Sequence, residues 1–279
     1  MKKLTNKELE QLLASDLTDI IHTITDFPHR ITYYGNLSHS KLSQHMEKHH
    51  VIQSIQDKPS MISFNEKIYP QPKVYWSHYD MVQTEMILLA RSTPFDATQA
   101  GVIRLFNEYF GRGMNSIVFQ EIREAQGLAY SVFSIYSQPN KKDFSNYLFS
   151  YVGIQADKQR EAIHSMFNLI NNIPKSEQAF EIAKTSILNK LESERITKSK
   201  IIDAYFSAED KGLKHDIRED VYETVKTLSL DELMAFHQSY VKDLPHNIVL
   251  IGHRDKIDFD NLAKYGEVIE LKKGDIFRY

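Results

Sequence analysis

Residues 104–136 read RLFNEYFGRGMNSIVFQEIREAQGLAYSVFSIY. Leu105, Phe106 and Tyr109 extend an apolar set begun at Val102 and Ile103, the spacing of one helix face, and Asp96 stands where a cap would start that helix. Gly111 and Gly113 end it, and Ser116 is positioned to cap a second helix carrying Ile117, Val118, Phe119 and Ile122. Gly127 breaks the second helix, and residues 128–136 then alternate as a strand with one buried face.

Outward from this segment, 74–76 and 86–90 read as strands upstream, and 147–154 as the hairpin partner of 128–136. Helices are expected at about 157–171, 176–195, 200–211 and 217–228. Strands and helices mixed with a hairpin predict an α+β sandwich, and exclude a doubly wound parallel sheet.

An internal echo sets the domain reading. Leu4-Thr5-Asn6-Lys7-Glu8-Leu9 leads through a helical stretch to Phe27-Pro28-His29-Arg30-Ile31-Thr32-Tyr33-Tyr34-Gly35, and Leu228-Ser229-Leu230-Asp231-Glu232-Leu233 leads to Leu244-Pro245-His246-Asn247-Ile248-Val249-Leu250-Ile251-Gly252. In each copy Thr or Ser caps a helix with an acid at or near its third position, proline ends it, and a short apolar strand runs into a glycine turn. A further helix is expected after each glycine, at about 38–49 and 259–265. Only the second copy has a full unit in front of it. Residues 1–58 are therefore expected to be the closing helix–strand–helix elements of an upstream module, and 59–279 a complete α+β module.

Composition removes several function classes. The chain of 279 residues, 42% hydrophobic and 11% aromatic, has the apolar content of a folded domain. Its 34 basic and 37 acidic residues are interspersed, so it lacks the single-sign field that a nucleic acid or an anionic membrane selects. The apolar runs are far shorter than a membrane span. No cysteine is present, which removes thiol nucleophiles and thiolate metal sites and leaves the compartment open.

Three segments carry a resemblance: Phe110-Gly111-Arg112-Gly113-Met114-Asn115-Ser116, Phe119-Gln120-Glu121-Ile122-Arg123-Glu124 and Gly127-Leu128-Ala129-Tyr130-Ser131. In order and separation they resemble the insulinase/pitrilysin zinc metallopeptidases, in particular the C-terminal half that does not bind zinc. That likeness covers the chain from about residue 60 onward and implies a two-layer sandwich of a mostly antiparallel sheet packed with helices. In that family two halves close around a peptide, and one half carries H-x-x-E-H, whose histidines bind zinc while the glutamate acts as general base. The other half often supplies an Arg and a Tyr, and the pair carries over onto Arg123 and Tyr130. By this resemblance Arg123 would hold substrate carbonyls and Tyr130 would donate to the developing oxyanion.

The sequence departs from a complete enzyme. Neither H-x-x-E-H nor its inverse occurs, and in His45-Met46-Glu47-Lys48-His49-His50 the two histidines share a helical face while Glu47 points elsewhere. That cluster is expected to be a solvated helix end, and His237 and His246 to be packing or capping residues. No nucleophile elbow G-x-S-x-G is present, and Glu121 with Glu124 or Glu192 with Glu194 read as helix-surface charges. No cofactor or metal is expected in this chain. Zinc is expected on a partner half, either upstream in the same polypeptide or on another subunit, with a peptide as substrate and no cleavage by this chain alone. The alternative is a non-catalytic peptide-binding or structural module of the same descent.

Overall fold

Period-two burial organises the strands in the computed structural model of the chain, which describes residues 4–50, 52, 55–57 and 65–277. The expected boundary at 58/59 lies outside the described residues. Two compact units are present, residues 1–67 with 197–203 and 274–279, and residues 68–196 with 204–273.

In the first unit, helices α1 (Asn6–Glu10), α2 (Ala14–Thr23) and α3 (His39–His49) have no buried residue. Thr5 and Glu8 form the capping box read from the sequence, the Glu8 carboxylate accepting from Thr5 N at 2.7 Å. Ser38 caps α3. The strand expected at 31–35 does not form: those residues are irregular and exposed. Apolar alternation alone cannot hold a strand whose backbone has no neighbouring ladder to pair with. On α2 and just beyond it, Leu17, Ile20, Ile21 and Ile24 form an exposed apolar stripe at helical spacing.

The second unit contains β1 (Lys73–His78), β2 (Gln83–Pro94), α4 (Ala100–Phe110), a π-helix (Phe119–Ala125), β3 (Ala129–Ser137), β4 (Ser145–Gln155), α5 (Gln159–Asn171) and α6 (Glu177–Ser193). After α7 (Ile201–Asp210), which begins among residues of the first unit, come α8 (Ile217–Thr227), α9 (Leu230–Tyr240), β5 (His246–Gly252), α10 (Phe259–Leu262) and β6 (Glu267–Glu270).

The six strands form one sheet in the order β3-β4-β2-β5-β1-β6. The β3/β4, β4/β2 and β2/β5 junctions are antiparallel, and β5/β1 and β1/β6 are parallel. The fold is thus α+β with a mostly antiparallel sheet.

On one sheet face Val74, Trp76, Met86, Leu88, Val132, Tyr136, Leu148, Val152, Ile248 and Leu250 are buried in a core shared with Ile103, Phe106 and Phe110 of α4, Met166 of α5, Phe180 of α6 and Phe236 of α9. Each such side chain contributes about 1.5–3 kcal/mol by leaving water. The alternate residues, such as Ile87, Leu89, Phe133, Phe149 and Val249, remain half-buried or exposed on the opposite face. There Phe133 stacks on Phe149 at 5.8 Å and on Tyr151 at 5.3 Å.

Candidate functional site at the start of the edge strand

Ser116 opens the segment that carries Arg123, but its hydroxyl donates to Gly113 O at 2.8 Å and does not accept from the next helix. That helix is π-type over Phe119–Ala125, with Gln126 N donating to Glu121 O at 3.1 Å, five residues back. Such widened turns recur at functional sites, because one extra residue rotates the side chains that follow. Arg123 lies near the end of the π-helix with its guanidinium 4.7 Å from the centre of the Phe119 ring. Its Nε is 3.9 Å from Glu124 Oε1, and the side chain is 44% exposed.

Gly127 then reverses the chain with φ +60°, in the left-handed region where a Cβ is strained. The reversal delivers Ala129, paired with Ile154, while Ser131 pairs with Gly153. Tyr130 is the extra residue of this β-bulge, and a bulge re-aims the side chain it carries. It is 53% exposed. Gln155 Nε2 donates to Tyr130 Oη at 2.7 Å. Val82, Gln83, Tyr130, Gln155, Asp157 and Lys256 line a cleft of about 600 Å³ at this end of the sheet. Arg123 lies outside that lining, and no hydrogen bond or ion pair joins Arg123 to Tyr130.

β3 is an edge strand, and part of its outer backbone is already occupied. Ser134 N donates to Gly111 O at 3.0 Å, and a Cβ on Gly111 would stand 2.2 Å from Ser134 O, so this approach requires glycine. Asn107 Nδ2 donates to Tyr136 O at 3.0 Å while its Oδ1 accepts from Tyr136 N at 2.7 Å, so the amide mimics a neighbouring strand. The edge is blocked at 134–136, away from the bulge that carries Tyr130.

His237 and His246 are buried packing residues. His237 Nε2 is 2.6 Å from Ile170 O, and burial lowers its pKa. Burial pushes His246 down to about 4, although its contact with Leu244 O at 2.6 Å works the other way. His45 and His49 stand one turn apart on α3, ring centres 6.3 Å apart, and no group of three or more His, Cys, Asp or Glu placed to hold a metal is found among the described residues. Two histidines without a third donor do not fit a zinc site.

The family model for the peptidase M16 inactive domain matches residues 30–187, more than half of the 279. The chain belongs to the peptidase M16 inactive-domain family. This is the non-zinc, C-terminal half that the motifs in 110–131 resemble.

No curated protein matches the sequence. Among solved structures, the peptidase M16 inactive domain from Pseudomonas fluorescens is similar with a TM-score of 0.67 at 16% identity, over 89% of this chain and 60% of that one. A conserved protein from Enterococcus faecalis gives 0.70 at 14% identity, over 90% and 58%. A protease from Helicobacter pylori gives 0.61 at 16%, over 89% and 61%. At these identities the likeness is one of fold. The chain spans only 58% to 61% of the length of these solved chains.

In this M16 domain the cleft residues Val82, Gln83, Gln155, Asp157 and Lys256 belong to none of the sequence motifs. Gln83 and Gln155 face each other across the β2/β4 ladder, and Gln155 directly follows the strand read as 147–154. A polar residue ending an alternating run was the only local signal for it.

Proposed function

We propose that the chain is the zinc-free half of an insulinase-like zinc metallopeptidase. It closes the peptide-binding chamber, and Arg123 and Tyr130 contribute to substrate and transition-state binding. Zinc and general base come from another half, in the same polypeptide or on a partner subunit. The reading rests on Tyr130, an exposed phenol re-aimed by a bulge onto a cleft of about 600 Å³. A phenol in that position can donate to the oxygen that gains charge as a peptide carbonyl is attacked. Arg123 offers a planar set of donors for substrate carbonyls, held by the Phe119 ring and not consumed by a short ion pair.

Two features support a role as one wall of a larger enclosure. The sheet is packed on one face, and its other face keeps Val249 and Ile251 40% and 37% exposed. The Leu17–Ile24 stripe is what closing elements of an upstream module would bury. Residues 1–58 are accordingly proposed as that module's terminus, and 59–279 as part of the inactive module.

The test is to assay the chain alone and together with the zinc-bearing half encoded with it, on an internally quenched peptide. The chain alone is expected to be inactive and the pair active. In the pair Tyr130→Phe is expected to lower kcat/KM by about a hundredfold and Arg123→Ala by at least about tenfold. Unchanged turnover in both variants would refute the assigned roles, and an inactive pair that still binds the peptide would leave a non-catalytic module of the same family.

A further inference from the structure

We infer that Gln155 is a positioning residue that fixes Tyr130 as a hydrogen-bond donor toward the cleft. The inference rests on the role proposed for Tyr130 and adds the residue that sets its polarity. A phenolic hydroxyl carries one proton and can both donate and accept, so by itself it has no preferred role. Gln155 Nε2 donates to Tyr130 Oη at 2.7 Å, which occupies Oη as an acceptor. The phenolic proton is then left for another acceptor, and both side chains line the same cleft.

Backbone geometry holds the pair together. Tyr130 is the unpaired residue of the β3 bulge, beside Ala129, whose partner on β4 is Ile154. Gln155 follows Ile154, at the end of β4, where its backbone is held opposite Gln83. The charged groups of the cleft are Asp157 and Lys256, and neither forms an ion pair with the other or a hydrogen bond to Tyr130. Gln155 is thus the group that directs the phenol.

This predicts that reversing the polarity at position 155 is worse than deleting the donor. Gln155→Met keeps the size and removes the donor. In Gln155→Glu an ionised carboxylate can only accept, so it draws the phenolic proton away from the substrate. The carboxylic acid formed as pH falls can donate again.

The experiment measures kcat/KM on the quenched peptide for the paired halves between about pH 8 and about pH 5, each variant taken as a ratio to the unsubstituted pair at the same pH. Gln155→Met is expected to lose about tenfold at all pH values, and Gln155→Glu more at pH 8, with its ratio recovering toward pH 5. In a Tyr130→Phe background neither change at 155 is expected to cost more than about twofold, because the group it acts through is gone. Gln155 is exposed, so folding is expected to survive both substitutions, and the urea midpoint of each verifies it. A slow Tyr130→Phe with unaffected Gln155→Met and Gln155→Glu overturns this inference and leaves the proposed function standing. A loss in Gln155→Glu that does not change with pH also overturns it, since a merely structural role predicts that result. An unaffected Tyr130→Phe overturns the role assigned to Tyr130, and this inference with it.

Discussion

His246 shows how one buried side chain couples this fold to pH. Its imidazole is 4% exposed, Nδ1 meets Leu244 O at 2.6 Å, and Nε2 has no partner. Burial lowers the pKa from 6.5 to about 4, so between those values the unfolded chain binds a proton that the folded chain refuses. The stability due to neutral His246 is therefore complete above about pH 6.5 and is lost as pH falls toward 4. Urea midpoints measured from pH 7.5 to 4.5 should drop, and His246→Asn, which can keep the donor to Leu244, should flatten that drop. His237, whose pKa burial also lowers, contributes in the same direction, so part of the slope will persist in the variant. A residue read from the sequence only as packing or capping thus has a measurable electrostatic consequence. Its neutrality depends on neighbours brought from elsewhere, such as the Phe167 ring 5.4 Å away.

The segment between α4 and β3 was legible because its signals are local. Gly127 with φ +60° is the reversal expected from the breaker, and β3 runs one residue beyond the alternation read at 128–136. The π-turn and the bulge were not legible, since each inserts one residue into a regular element, and for the bulge it is the pairing of Ala129 with Ile154 and of Ser131 with Gly153, across to β4, that leaves Tyr130 as the extra residue. The edge cap by Asn107 was hidden for the same reason: its partner Tyr136 belongs to another element. Asn107→Ala is expected to leave both Tyr136 backbone groups unpaired in a buried setting and to cost about 1–3 kcal/mol, read as a fall in the urea midpoint. An unchanged midpoint would mean that water replaces the amide at no cost.

The layered architecture gives neighbouring positions on β5 opposite importance. Leu250 is 1% exposed within the core and Val249 is 40% exposed on the other face. Leu250→Ala is expected to cost about 2–5 kcal/mol and Val249→Ala less than about 1 kcal/mol, compared by thermal and urea unfolding of the full chain. If Val249→Ala cost as much as Leu250→Ala, the sheet would be packed on both faces. The sequence by itself determined the elements whose causes are local: the Thr5 and Ser229 capping boxes, the glycine breaks, the period of each helix and strand, and the motif that places the chain in its family. Tertiary structure alone decided the strand order, the parallel β1/β5 junction and the pairing of Gln155 with Tyr130. It also decided that 246–252 become a strand while 31–35 do not. The reason is that a strand's backbone groups are satisfied only by a neighbouring strand, so similar local patterns part company where one finds a ladder and the other is left exposed.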